Sequence, residues 1–146
     1  MISVDFSEAD QIFQQTIRDF ASSEIEPVSF KSEWDGKFSP EVLSKAAKLG
    51  LFGIMVPRDL GGASADLRTL VIATEELGMS SASMALLISF HNIVCDALVA
   101  SNNLESKQAL LSKLLSSSLG SLALDPIPRI IYKTTAKGLV LNGSLD

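Results

Sequence analysis

Leu49-Gly50-Leu51-Phe52-Gly53-Ile54-Met55-Val56-Pro57-Arg58-Asp59-Leu60-Gly61-Gly62 is the stretch on which the reading of this chain turns. It joins a helix end, a short apolar segment and a glycine-rich turn. Gly50 stands where a helix C′ residue in the left-handed region belongs, and Gly61-Gly62 suits a second turn that needs positive φ or close backbone approach. The pattern is a helix stop followed by a sharply bent loop. It is not a dinucleotide fingerprint, because no strand with G-x-G-x-x-G spacing precedes it.

Upstream, Ser7 is an N-cap, and Phe13, Ile17, Phe20 and Ile25 trace a stripe at helical spacing that Pro27 ends. Phe30 to Lys37 reads as a loop with Trp34 and the Asp35-Gly36 turn pair. Ser39-Pro40-Glu41 then supplies an N-cap, a first-turn proline and an acidic N-terminus for a short helix carrying Val42, Leu43, Ala46 and Leu49. Downstream, Asp66 caps a third helix to about Leu77, with Leu70, Ala73, Thr74 and Leu77 along one side. The serine-rich hinge Ser80–Ser83 leads into a fourth helix of about five turns, whose Met84, Leu87, Ile88, Phe90, Ile93, Val94 and Leu98 make it apolar over most of its circumference, as a central helix is. A fifth, about Leu104 to Ser116, turns Leu110, Leu111, Leu114 and Leu115 inward. Beyond Gly120 the runs Ser121–Leu124, Ile130–Thr135 and Leu139–Asn142 lean to β, with Ala136-Lys137-Gly138 able to turn the second into the third.

The fold expected is therefore mainly α: an up-and-down bundle of about five helices over 1–120, with a short C-terminal β appendix over 121–146. Two or three strands cannot bury a sheet face alone, so the appendix either packs on the helices or begins an incomplete or degenerate β domain.

Of the 146 residues, 47% are hydrophobic and the formal net charge is -5, from 12 Lys and Arg against 17 Asp and Glu. With no basic cluster, this balance speaks against nucleic acid and against an anionic membrane surface. The apolar excess suits a partner-facing surface. Cys95 is the single cysteine, which leaves no intrachain disulfide and no cysteine-based zinc set and fits a reducing compartment. The first residues show neither a basic n-region nor an apolar h-region, so the expected location is cytoplasmic. The window Leu77–Cys95 carries no Asp, Glu, Lys or Arg, but its serines, His91 and Asn92 suit a buried helix better than a membrane span.

Three polar features invite chemistry. His91, the lone histidine, has no Asp or Ser partner at motif spacing and reads as a structural hydrogen bonder. Cys95, one turn on, reads as a buried small hydrophobe. Glu75 and Glu76, adjacent on a helix, diverge by about 100°. They read as a solvated face or an intersubunit ion pair rather than a catalytic dyad.

The glycine-rich stretch resembles the "GLFGI-x-VP-x-x-x-GG" signature of the N-terminal helical domain of the acyl-CoA dehydrogenases. Ser7-Glu8, Phe20-Ala21, Ile25-Glu26-Pro27, Glu75-Glu76-Leu77, Ser80 to Ser83 and His91 follow in that family's order, so the resemblance spans about residues 5–120. It implies a flavoprotein oxidoreductase of fatty acid metabolism. Its reaction would be FAD-dependent α,β-desaturation of an acyl-CoA thioester, with electrons passed to an electron-transfer flavoprotein, and its assembly a homo-oligomer or a hetero-oligomer with a related subunit. In the family the base is a glutamate from the C-terminal part, which these 146 residues do not include, so the resemblance implies no catalytic residue here and no metal. It places the acyl-chain pocket at Leu86, Ser89, Phe90 and Ile93, which share one helix face. Ordinary core packing is the competing reading of the same four.

The family's flavin-contacting "TEP-x-x-GSD" element falls on Leu124, Asp125 and Pro126, followed by Ile127 to Ile131. Leucine replaces the threonine hydroxyl, Asp replaces Glu, and no Gly-Ser-Asp follows. Tyr132-Lys133-Thr134-Thr135-Ala136 then resembles the family's "IKTTA", and Leu139-Val140-Leu141-Asn142-Gly143-Ser144 its "vLNGsK". Each lost charge-assisted hydrogen bond removes roughly 1.5–3 kcal/mol from a flavin site. A truncated dehydrogenase and a noncatalytic paralogue, acting as a partner subunit or acyl-binding module, both remain open.

Overall fold

A computed structural model describes residues 5–102, 104–121, 131–135 and 138–142, the two last stretches and 104–106 as backbone only. Its elements are α1 (Glu8–Phe20), a π-helical turn (Ala21–Ile25), α2 (Glu26–Asp35), α3 (Pro40–Lys48), α4 (Leu67–Ser80), α5 (Ala82–Val99), α6 (Leu104–Ser116), β1 (Ile131–Thr135) and β2 (Gly138–Asn142). Two 3₁₀ turns, Leu51–Gly53 and Arg58–Leu60, shape the loop between α3 and α4. With α1, the π turn and α2 running on as one rod, the body is the expected five-helix assembly.

The caps explain where the helices start. Ser7 and Asp10 form a reciprocal capping box at α1, with Asp10 Oδ2 accepting the Ser7 amide at 2.9 Å. Ser39 caps α3, with Pro40 in its first turn, and Asp66 Oδ1 accepts the Thr69 amide at 2.9 Å to start α4. Ser81 ends α4 and caps α5 by itself: its extended backbone breaks the helix and its hydroxyl accepts the Met84 amide at 3.2 Å. A one-residue corner leaves α4 and α5 packed side by side, and α1 packs on α4.

Pro27 does not end the first helix. The π turn just before it bonds the Glu26 amide to the Ala21 carbonyl, five residues back, and Pro27 then lies in the first turn of α2, where its missing N–H leaves no gap in the ladder. The segment 30–35, expected as loop, is therefore helix, and Gly36 terminates it in the left-handed region (φ 61°).

The main core gathers Ile17, Ala21 and Ile25 of the rod, Val42 and Ala46 of α3, Leu51, Phe52 and Ile54 of the loop, Leu70, Ala73 and Leu77 of α4, and Met84, Ala85 and Ile88 of α5. A smaller cluster, Val56, Cys95, Leu111 and Leu114, seats α6. Leu110, expected inward, is instead exposed, because α6 buries only the stripe through Leu111 and Leu114. The strands form an antiparallel hairpin in which Ile131 pairs with Asn142 and Thr135 with Gly138. Helix α6 ends at Ser116 and β1 starts at Ile131, on either side of the 120/121 boundary expected between helical and β parts.

Candidate functional site

The loop after α3 is built as its glycines require. Gly50 lies at φ 84° and Gly61 at φ 92°, both left-handed. Gly62 is needed for a different reason: a Cβ there would overlap the Val56 carbonyl and Cβ. The loop folds back on itself through Ala63 N–H to Gly53 O at 2.9 Å, Ser64 N–H to Val56 O at 2.8 Å and Ala65 N–H to Ile54 O at 2.8 Å.

Helix α5 clamps this loop with polar residues on its inner face. Asn92 is 1% exposed; its Oδ1 accepts the Ile54 amide at 3.0 Å, and its Nδ2 donates to Leu51 O at 2.8 Å and Ile88 O at 2.9 Å. One carboxamide thus bonds two backbone groups of the tight loop and one carbonyl of its own helix. His91 is fully buried beside it, its ring centroid 4.7 Å from that of Phe52. Its Nδ1 accepts the Gly120 amide at 3.0 Å, and Nε2 lies 3.5 Å from Cys95 Sγ. Burial holds His91 below the ordinary histidine range, against the opposing pull of the Phe52 and Leu114 backbones. Burial likewise pushes the Cys95 thiol up to about 11, so it is an inert thiol at neutral pH. Both residues therefore sit as the sequence suggests, as a hydrogen bonder and a buried small side chain. Asn92 is the structural clamp whose partners sequence reasoning misses; its signal is a carboxamide inside an otherwise apolar helix.

The outer side of α5 carries the four residues assigned to an acyl wall. Leu86 and Ile93 are 56% and 42% exposed, Phe90 is half-buried, and Ser89 is half-buried toward α4. The Ser89 hydroxyl donates to Ala85 O at 2.8 Å and lies 3.0 Å from Thr74 Oγ1. The structure brings these four onto one flank of a helix, but Leu86 and Ile93 pack into no core, so α5 is only partly a central helix. By length and apolarity α5 would also pass as a membrane span; here Asn92 and His91 tie it to the loop. Leu124, Asp125 and Pro126, the flavin-contact positions, lie outside the described residues.

Glu76 corrects the reading of the Glu75-Glu76 pair. It is 6% exposed, and its carboxylate takes a bidentate grip from Arg18, Nε to Oε2 at 2.9 Å and Nη2 to Oε1 at 2.8 Å, with Gln14 Nε2 on Oε1 at 2.7 Å. The Arg18 hydrogen bonds, partly opposed by burial and helped by Gln14, lower its pKa. The partner is thus intramolecular, 58 residues away in sequence. The pair floors a cleft of about 520 Å³ that Ser22, Glu26, Glu75 and Met79 also line. Among the described residues no buried side-chain nitrogen or oxygen lacks a partner, and no group of three or more His, Cys, Asp or Glu could hold a metal.

Comparison with known proteins agrees with this geometry. Residues 7–118 match the family model of the acyl-CoA dehydrogenase N-terminal domain. A 3-(aryl)acrylate reductase of Clostridium sporogenes is 36% identical over 87 residues, 60% of this chain and 23% of that protein. The human mitochondrial short-chain specific acyl-CoA dehydrogenase is 32% identical over 124 residues, 84% of this chain and 30% of that protein. Among solved structures, an acyl-CoA dehydrogenase from Bacillus anthracis complexed with FAD superposes with a TM-score of 0.79 at 26% identity, covering 95% of this chain and 26% of the other. The chain thus spans about a quarter to a third of the relatives it matches. By the match of its helical body, it belongs to the acyl-CoA dehydrogenase family through that family's N-terminal domain.

Proposed function

We propose that this chain supplies the helical scaffold and one wall of the acyl pocket in an FAD-dependent acyl-CoA dehydrogenase, an enzyme that desaturates an acyl-CoA thioester between its α and β carbons. The observation that carries the reading is the outer flank of α5. Leu86 and Ile93 are left exposed on a helix whose other side is locked to the Leu51–Ile54 loop, so an apolar surface is presented on a rigid support. A fatty tail laid along Leu86, Phe90 and Ile93 gains apolar burial, about 25 cal/mol per Å² covered. Ser89 is committed to Ala85 and Thr74, which leaves it to shape the wall rather than to grip a thioester.

The FAD that the family uses would act as hydride acceptor. Among the described helical residues every buried side-chain nitrogen and oxygen already has a partner within the chain. By the family resemblance, flavin contacts would fall to the segment of Leu124, Asp125 and Pro126, whose residue types depart from the family's. That departure favours a second reading, a paralogue that keeps the helical scaffold and has lost flavin, serving as partner subunit or acyl-binding module. The proposed setting is cytoplasmic, within a homo-oligomer or beside a related subunit, with an electron-transfer flavoprotein as electron acceptor in the enzymatic case.

The visible spectrum of the purified protein, with FAD in excess, separates the readings. It is taken on this chain and on any longer product of the same gene. A flavin band that bleaches on adding an acyl-CoA supports the dehydrogenase; the absence of flavin from both leaves the scaffold reading.

A further inference from the structure

Gly120 lies four residues past the end of α6, and it is tied back onto α5 twice. Its amide donates to His91 Nδ1 at 3.0 Å, and it packs so closely on Val94 that a Cβ would come within 2.9 Å of Val94 Cγ1. An amide can donate to Nδ1 only while that nitrogen keeps its lone pair, which makes His91 the neutral Nε2–H tautomer. Protonation would set one N–H against another. The protonated ring would not lack partners, because the backbones of Phe52 and Leu114 face it and favour its charged form. Protonation would thus cost the Gly120 bond while leaving the ring backbone acceptors.

We infer that His91 is a proton-operated latch between α5 and the chain leaving α6: neutral His91 holds Gly120 in place and protonated His91 releases it. The turn Leu51–Gly53 presents no charged side chain to the ring. On α5 the titratable neighbour is Cys95, whose thiol stays protonated to about 11, while Asp96 on α5 and Lys113 on α6 are exposed. Among the described residues no charged side chain contributes to the His91 titration. Burial sets the direction, so the latch is closed at neutral pH and opens in acid. It does not depend on whether the protein binds flavin.

The test is an NMR titration of the 146-residue chain from pH 7.5 downward, following the His91 ring nitrogens and the Gly120 amide. The expected result is one shared midpoint below the ordinary histidine range, with the exchange protection of the Gly120 amide falling about tenfold through it, as loss of one net hydrogen bond would give. In His91→Gln the side-chain oxygen can accept the same amide without titrating, so Gly120 should stay protected over the whole range. A Gly120 amide that ignores the His91 midpoint overturns the latch. So does the same pH response in His91→Gln, and so does a chain that unfolds before the ring titrates.

Discussion

The two flanks of α5 obey opposite rules. On the inner flank even the polar residues are buried and hydrogen-bonded: Asn92 holds Leu51, Ile54 and Ile88, and His91 holds Gly120. On the outer flank the apolar side chains of Leu86 and Ile93 are exposed. A helix folded only for its own stability would arrange these the other way round, with Leu and Ile inward and Asn and His in water. The inner flank is thus explained by the fold and the outer one is not, and the unexplained flank is where function should be sought.

The comparison breaks most sharply at Asn92. Asn92→Ala leaves the Ile54 amide and the Leu51 carbonyl buried without partners, at about 1–3 kcal/mol each. Urea denaturation should therefore show a loss on the order of 3 kcal/mol or more. A loss below about 1 kcal/mol would mean the loop does not depend on α5.

Gly62→Ala should come next. Its methyl group would enter the space of the Val56 carbonyl, and overpacking of this kind costs typically about 1–3 kcal/mol. Gly50→Ala is the control: nothing lies within 4 Å of its Cβ position, so the cost reduces to the left-handed backbone, about 1 kcal/mol. A loss at Gly62 no larger than that at Gly50 would show that the close approach to Val56 adds nothing to the demand for glycine in this turn.

The acid limb of stability gives the third test. The folded pKa of His91 is depressed, so its contribution is complete above about 6.5 and is lost as pH falls toward the folded value. The folded pKa of Glu76 is also depressed, so its contribution is present above the ordinary carboxylate value and is lost as pH falls through the folded one. Acidification should therefore destabilise the chain in two stages. His91→Gln should remove the upper stage, and Glu76→Gln should shrink the lower one, to which Asp10 and Asp66 also contribute because their capping hydrogen bonds lower their pKa values. If Glu76→Gln leaves the limb below the ordinary carboxylate range unchanged, the Arg18 pair does not support the fold.

What the sequence reveals follows the range of each interaction. The starts at Ser7, Ser39 and Asp66 and the stop at Gly50 are local, because a cap or a turn is written within about four residues, and the close approach of Gly62 to Val56 spans only six. The rod through Pro27 is not legible: an α-helix cannot use that proline in its interior, and the wider turn that admits it has no apolar period of its own. Glu76 and Asn92 escape for a related reason. Their partners lie 58 and about 40 residues away, and a polar residue in a helix does not say in sequence whether a distant group will meet it. The face holding Leu86, Ser89, Phe90 and Ile93 is readable from spacing, whereas their exposure is not, since it depends on which side of α5 the loop covers.

The outer flank supplies the smallest expected effect and the most informative one. Leu86→Ala and Ile93→Ala remove side chains that are about half exposed already, and alanine favours a helix, so each should change stability by no more than about 0.5 kcal/mol. Ile88→Ala, fully buried between them in sequence on the inner side, should cost about 2–5 kcal/mol by comparison. If the outer substitutions prove as costly as the inner one, the two flanks are one core and the contrast fails. If they are stability-neutral yet weaken acyl-CoA binding by up to about tenfold each, as loss of roughly 1.4 kcal/mol of apolar contact would, the flank is the acyl wall. Neutrality in both measurements would remove the acyl wall while leaving the inner clamp intact, because nothing in Asn92's bonds depends on what covers Leu86 and Ile93.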